Sequence, residues 1–474
     1  MADFSDLYFA SIGEIGARLR NKEFSAVELT RAFCDRLERF GPRYNALALS
    51  LREPAIRQAR DVDSDLKIGR VRSPLHGIPY GVKDLLAVKG HPTTWGAPPY
   101  AAQVFSDDAF VVEKLNKAGA ILVGKLAMVE LAGGGGYRYA SASLTGSGLN
   151  PWDRSRWSGG SSSGSAAATS AGLVAFALGS ETSGSIITPA AFCGVTGLRP
   201  TYGLVSRRGA MALSWTLDKI GPLARSAEDC GLVLATIAGN DPQDPGSAGK
   251  GFTYAPQYHR KPEEIRVGYA PVDFAEWTDA QTRREFAAAL DIVKQMRFPM
   301  KEVEIPDYPY GALVSTVLGG EAGSIFEEFI RSGRVDQLID QHQVAGLKAY
   351  LDIPATEYLR AMRVRAVVQQ AFRTLFLDVD VLLAPARLET AGPVTERLDV
   401  GGGGPLPRSR GLSGIIPAGN LAGLPAISLP CGMAGGLPIG LSFIGRPFAE
   451  NQLVGIGRAF QKETSFHRNN PKVG

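Results

Sequence analysis

Lys83 lies in the run GIPYGVKDLL, Gly77 to Leu86, with apolar and glycine residues on both sides. Such neighbours imply burial, and a lysine drawn out of water loses its preference for the charged form and can act as a neutral base near pH 7. Two serine-glycine clusters supply hydroxyls that such a base could activate: SGGSSSGSAAA from Ser158 to Ala168, and ETSGS from Glu181 to Ser185. A serine needs a base to become a nucleophile, and a Lys-Ser arrangement is an alternative to histidine. The five histidines, His76, His91, His259, His342 and His467, are scattered, and no two have metal-ligand spacing. In the second cluster, small side chains allow successive backbone N–H groups to converge on one point, as an oxyanion hole requires.

Each of these features also has a plain structural reading. Lys83 could snorkel, or pair with Asp84 beside it. The serine-glycine clusters could be two tight turns. Gly160 to Gly164 further satisfies GxSxG, the nucleophile elbow of α/β-hydrolases, which would make Ser162 the nucleophile. That elbow must follow a buried strand, whereas the preceding NPWDRSRWSG is polar and turn-prone, so the match reads as accidental.

The elements that must position these groups follow α/β grammar. Ser25 to Phe40 opens with a capping box, Ser25 and Glu28, and sets Leu29, Phe33 and Leu37 on one helical face. Asp107 and Asp108 are expected to start a second helix that Gly119 ends, with ILVGK from Ile121 to Lys125 as a buried strand. The Asp-, Pro- and Gly-rich stretch from Asn240 to Pro262 is a candidate boundary or long surface loop. Beyond it come a strand-like IRVGYA, a helix carrying Phe286, Leu290 and Val293, and polar helical sequence through about Arg373, read together as a cap over the core. Three late runs, VDVLLAP, AISLP and LPIGLSFIG, are expected to return as buried strands to the first sheet. The four-glycine runs at Gly133 and Gly401 read as isolated loops.

Bulk properties narrow the classes. The chain has 474 residues, 45% of them hydrophobic and 21% charged, the composition of a folded protein. Its length leaves open two domains or one large α/β domain with insertions. The net charge of +4 is spread over 51 basic and 47 acidic residues without a basic run, so nucleic acid is not an expected partner. Cys34, Cys193, Cys230 and Cys431 stand far apart, which suggests free thiols rather than a disulfide framework or a zinc site. With neither a signal-peptide pattern nor an apolar run of about 18 residues, a cytoplasmic protein without membrane contact is expected.

The segment GGSSSGSAAATSAGLVAFALGSETSGSIITPAAFCGVTGLRPTYG, Gly159 to Gly203, resembles the glycine-serine signature of the amidase signature family. The likeness extends from GIPYGVKD through AGAILVGK to NLAGLPAISLP and GLPIGLSFIG. It implies one α/β/α layered domain over residues 1–474, with a central mixed sheet, surrounding helices and a helical cap at about 270–375. It also implies Ser185 as the acylating nucleophile, Ser161 as the bridging serine after a cis Gly160–Ser161 bond, and Lys83 as the general base. Thr182, Ser183, Gly184 and Ser185 would form the oxyanion hole, and Gly133, Gly134 and Tyr137 would contact substrate. No cofactor or metal is implied.

Two departures from the family pattern stand out. The arginine usually found two positions after the nucleophile is Ile187, so the support of Glu181, four positions before Ser185, must differ. The segment RSRGLSGIIPAGNLAGLP lacks the carboxylate that grips a glutamine ammonium in amidotransferase relatives. The resemblance therefore favours a stand-alone amidase, monomeric or homodimeric, acting on neutral, apolar or aryl amides, with carbamates and esters as side substrates. The alternatives are the A subunit of a glutamine-dependent tRNA amidotransferase, or a non-catalytic binding protein on the same fold.

Overall fold

The capping box at Ser25 forms as the sequence predicts. The Ser25 hydroxyl accepts from Glu28 N, the helix runs Ala26–Phe40, and Leu29, Phe33 and Leu37 are fully buried. The second helix, Phe110–Ala118, starts later than expected, with Ala109 at its N-cap, and ends at Gly119 in the left-handed region at φ 83°. Asp108 does not cap it because its carboxylate instead accepts from Lys89 N at 2.7 Å. The computed structural model describes residues 4–276, 278–395, 397–398, 411–412 and 414–473. The Gly401 run, residues 408–410 and Ser413 lie outside the described residues.

Among the described residues, eleven strands form one mixed sheet. In chain order they are β1 (Leu47–Ser50), β2 (Pro79–Lys83), β3 (Ile121–Leu126), β4 (Phe176–Glu181), β5 (Thr196–Arg199) and β6 (Lys219–Ala224). Then follow β7 (Val267–Tyr269), β8 (Met300–Glu302), β9 (Val381–Pro385), β10 (Ala426–Ala434) and β11 (Leu437–Gly445). The spatial order is β1-β3-β2-β4-β6-β5-β10-β11-β9-β7-β8. Parallel pairs β2–β3, β2–β4, β7–β8 and β7–β9 mix with antiparallel ones, which makes this an α/β fold with helices packed on the sheet. The three late runs rejoin the sheet as β9 to β11, as expected.

The 240–262 stretch contains no strand or α-helix and is held down as a loop: Asp244 pairs with Arg207 at 2.6 Å, and Asp241 pairs with Arg208 at 3.1 Å. Between 270 and 375 lie the helices Arg283–Gln295, Tyr310–Ile325, Gln341–Tyr350 and most of Ala355–Asp378. The same stretch contributes β8, which the sequence reading missed because a short, largely exposed edge strand shows no alternation of buried positions.

For the site, the central fact is that β2 and β4 are parallel neighbours, with Tyr80 opposite Phe176 and Val82 opposite Leu178. Their C-terminal ends, Lys83 and Glu181, therefore emerge on the same edge of the sheet. The serine-glycine run folds back as the buried helix Ser163–Ser170. Its small residues are required by close packing: a Cβ on Gly164 would come within 2.5 Å of both Ala127 N and Ala46 O. The four cysteines are buried and free.

Asp84 does not pair with Lys83. It forms an ion pair with Lys125 of β3 at 2.8 Å, both side chains being at most 1% exposed, and also accepts from Thr94 N at 3.1 Å. Lys125→Met should strand a buried carboxylate and destabilise the fold by about 3–5 kcal/mol. Urea denaturation measures this, and Lys125→Met combined with Asp84→Asn should recover most of the loss. A cost well under 1 kcal/mol for the single variant would contradict this role for the pair.

Candidate active site

Lys83, at the end of β2, is fully buried. Its Nζ lies 2.7 Å from Ser161 Oγ, 2.9 Å from Ser180 Oγ and 3.5 Å from Ser180 O. Burial lowers the amine pKa to about 7, while the Asp218 and Glu181 carboxylates pull it back only in part. The peptide between Gly160 and Ser161 is cis, as the family resemblance implied. Ser161 itself is 1% exposed, and its carbonyl accepts from Val129 N at 3.1 Å.

The turn after β4 carries the second cluster. Gly184 takes φ 89°, a conformation that suits glycine, and its carbonyl accepts from Thr188 N at 2.9 Å. Ser185 follows at 9% exposure. Among the described residues, none accepts a hydrogen bond from the backbone N–H groups of Thr182 to Ser185, so these donors remain available to an anion. Glu181 lies on the other side of the turn. Its Oε2 accepts from Ile186 N at 2.8 Å and Ile187 N at 3.0 Å, and its Oε1 accepts from Arg199 Nη1 and Asn420 Nδ2, both at 2.8 Å. Despite the cost of burial, Arg199, Asn420 and the backbone donors hold its carboxyl down at about 2. The arginine that supports Glu181 is thus Arg199 of β5, while residue 187 contributes only its backbone N–H.

Other expected residues fall differently. Ser162 is tied to the β4 backbone, donating to Ser180 O at 3.2 Å and accepting from Ser180 N at 3.3 Å. Among the described residues no strand leads into it, which removes the GxSxG elbow. Tyr137 packs edge-on against Trp157 at 6.1 Å between ring centroids, and a Cβ on Gly160 would come within 3.0 Å of its hydroxyl. Gly133 backs onto the Tyr137 ring. Gly134 instead faces Leu213 and Leu347.

Several neighbours were missed by sequence reasoning. Ser180 of β4 meets Lys83 while Glu181, the next residue, turns to Arg199 on the other side, an alternation that the motif LGSETSGS does display. Arg199, Asn420 and Asp218 arrive from distant segments and leave no local signal. Asp273, from the helix Pro271–Ala275, accepts from Leu412 N at 2.6 Å, so an acidic residue does reach the segment that lacks one of its own. A cavity of about 430 Å³ borders Ser180 and Thr182, with Leu85, Met211, Leu213 and Ile220 in its walls. Among the described residues, no helix is long and apolar enough to cross a membrane.

Comparison with known proteins identifies the family and the fold. The chain is 35% identical over 496 residues to the A subunit of the glutamyl-tRNA(Gln) amidotransferase of Carboxydothermus hydrogenoformans, covering 99% of this chain and 100% of the relative. Among solved structures it is similar to a chain from a vestigial protein complex bearing on the evolutionary origins of an s-triazine catabolic enzyme, with 29% identity, a TM-score of 0.85, and 96% and 98% of the two chains covered. It is similar also to the native peptide amidase of Stenotrophomonas maltophilia, with 28% identity, a TM-score of 0.83 and 99% of each chain covered. The family model described as Amidase matches residues 28–454, and the chain therefore belongs to the amidase family.

Proposed function

We propose that the chain hydrolyses C–N bonds of small neutral or apolar amides, aryl amides included, through Lys83, Ser161 and Ser185. The observation that carries this reading is the buried Lys83 amine, brought to a pKa of about 7 and held 2.7 Å from Ser161 Oγ. Neutral Lys83 takes the proton of Ser161, and Ser161 takes that of Ser185 as its Oγ attacks the carbonyl carbon. The oxyanion is received by the N–H groups of Thr182 to Ser185. The proton returns through Ser161 to the departing nitrogen, the amine leaves, and water cleaves the acyl-enzyme by the same relay. Tyr137 and Gly133, next to the Gly160–Ser161 peptide, would meet the substrate, and the helices of 270–375 would cover it. Carbamates and esters fit the same chemistry, in a cytoplasmic monomer or homodimer.

The curated relatives support a second reading, the A subunit of a tRNA-dependent amidotransferase, which would work with partner subunits and a glutamine donor. Against it stands the absence of an acidic residue within the segment at 408–425, where the carboxylate that arrives, Asp273, is bonded to Leu412 N.

A serine-reactive fluorophosphonate should label Ser185, and Ser185→Ala should abolish both labelling and turnover. Labelling at Ser162, located by peptide mass spectrometry, would sink the assignment. On a simple anilide, kcat/KM should rise with pH and level off above an apparent pKa near 7, because protonated Lys83 cannot accept a proton. Lys83→Arg stays protonated and should lose at least about 10²-fold in kcat/KM. Substantial activity in that variant would mean that the site needs positive charge rather than a base. The purified chain alone should cleave apolar amides and handle free glutamine poorly; efficient glutaminase activity that depends on partner subunits would favour the amidotransferase reading.

A further inference from the structure

The Thr182–Ser185 turn has a second anchor besides Glu181. In the antiparallel pair β4–β6, Glu181 stands opposite Lys219, so Thr182 and Asp218 face each other one step beyond. Thr182 Oγ1 donates to Asp218 Oδ1 at 2.6 Å. The other Asp218 oxygen accepts from Leu213 N at 2.8 Å and Ser214 N at 2.9 Å. The 213–218 loop is fixed in turn by buried Glu321, of the helix Tyr310–Ile325. Its carboxylate accepts from the hydroxyls of Ser214, Thr216 and Tyr358 and from Thr216 N. Arg365 holds the same loop by donating to Thr216 O at 2.7 Å.

Thr182 is thus bonded to a rigid post rather than to a mobile side chain. Its own N–H is the first of the donors left without an acceptor among the described residues, so the hydroxyl bond anchors the residue that carries that donor. Glu181 restrains the turn from its C-terminal side, through Ile186 N and Ile187 N, and Asp218 restrains it from the N-terminal side.

We propose that Asp218 is a positioning residue for the reaction, acting through the Thr182 hydroxyl to hold the anion-receiving turn in register. This rests on the assignment of Ser185 as nucleophile. Asp218 touches no reacting atom; apart from the pull its charge exerts on the Lys83 amine, its effect is on alignment, and misplacement of a site by about 1 Å can cost on the order of 10²-fold in rate.

The test is a double-mutant cycle on Thr182→Val and Asp218→Asn, read as kcat, KM and the rate of fluorophosphonate labelling. Thr182→Val keeps the shape and removes the hydroxyl. It should lower kcat and the labelling rate together by roughly ten- to hundredfold with KM nearly unchanged. Thr182→Ser, which retains the hydroxyl, should restore most of the rate, a rescue that loss of packing alone would not give. The double variant should be no slower than the slower single variant, because both changes remove one interaction. Wild-type kcat in Thr182→Val, or losses that simply add, would overturn the proposal while leaving Ser185 as nucleophile. Labelling at a residue other than Ser185 would overturn both. Should Asp218→Asn fail to fold, the Thr182 variants decide the question alone.

Discussion

A lysine amine shut away from water between two serine hydroxyls is the constraint on which the rest of this site depends. An ammonium in that position would need a carboxylate partner to offset the loss of hydration. The three nearby carboxylates are all committed elsewhere: Asp84 to Lys125, Glu181 to Arg199, and Asp218 to Thr182. Lys83 is therefore surrounded by acids yet bonded to none of them. The balance of burial over distant attraction brings its pKa to about 7, where a neutral amine and a protonated one are both accessible.

Delivering that amine to Ser161 is the work of the sheet. β2 and β4 are parallel neighbours, so Lys83 and the turn after Glu181 leave the sheet at the same edge. The helix Ser163–Ser170 can approach that edge because its residues are small, and Gly164 sits where no side chain fits. The serine-glycine density that would ordinarily suggest a flexible linker instead reflects close packing in the interior. The turn bearing Ser185 is held from two sides, by Glu181 at Ile186 and Ile187 and by Asp218 at Thr182.

What the sequence disclosed follows from how local each signal is. The capping box at Ser25, the burial of Lys83 and the late strands rest on neighbours within one turn or one strand, and all of them could be read directly. The cis bond at Gly160–Ser161 came through the family resemblance, as did the proposal that Ser161 and Ser185 act in one site, since nothing in their spacing dictates either. Ile187 raised the question of what supports Glu181, but only the fold could identify Arg199 and Asn420, which are 18 and 239 positions from Glu181. The edge strand β8 and the capping role wrongly given to Asp108 mark the opposite limit. Both were decided by tertiary partners, and propensity had little to say about either.

Everything proposed for this site turns on the protonation state of Lys83, which can be measured without any substrate. With lysine labelled at 13Cε, the chemical shift of Lys83 can be followed by NMR from pH 5 to pH 11 in the resting protein, its resonance assigned by its loss in Lys83→Met. The expected midpoint is near 7, with the lysines at the surface titrating near their ordinary value of about 10.4. A Lys83 that titrates with the surface lysines would be an ammonium throughout the working range, and it could not serve as a neutral base.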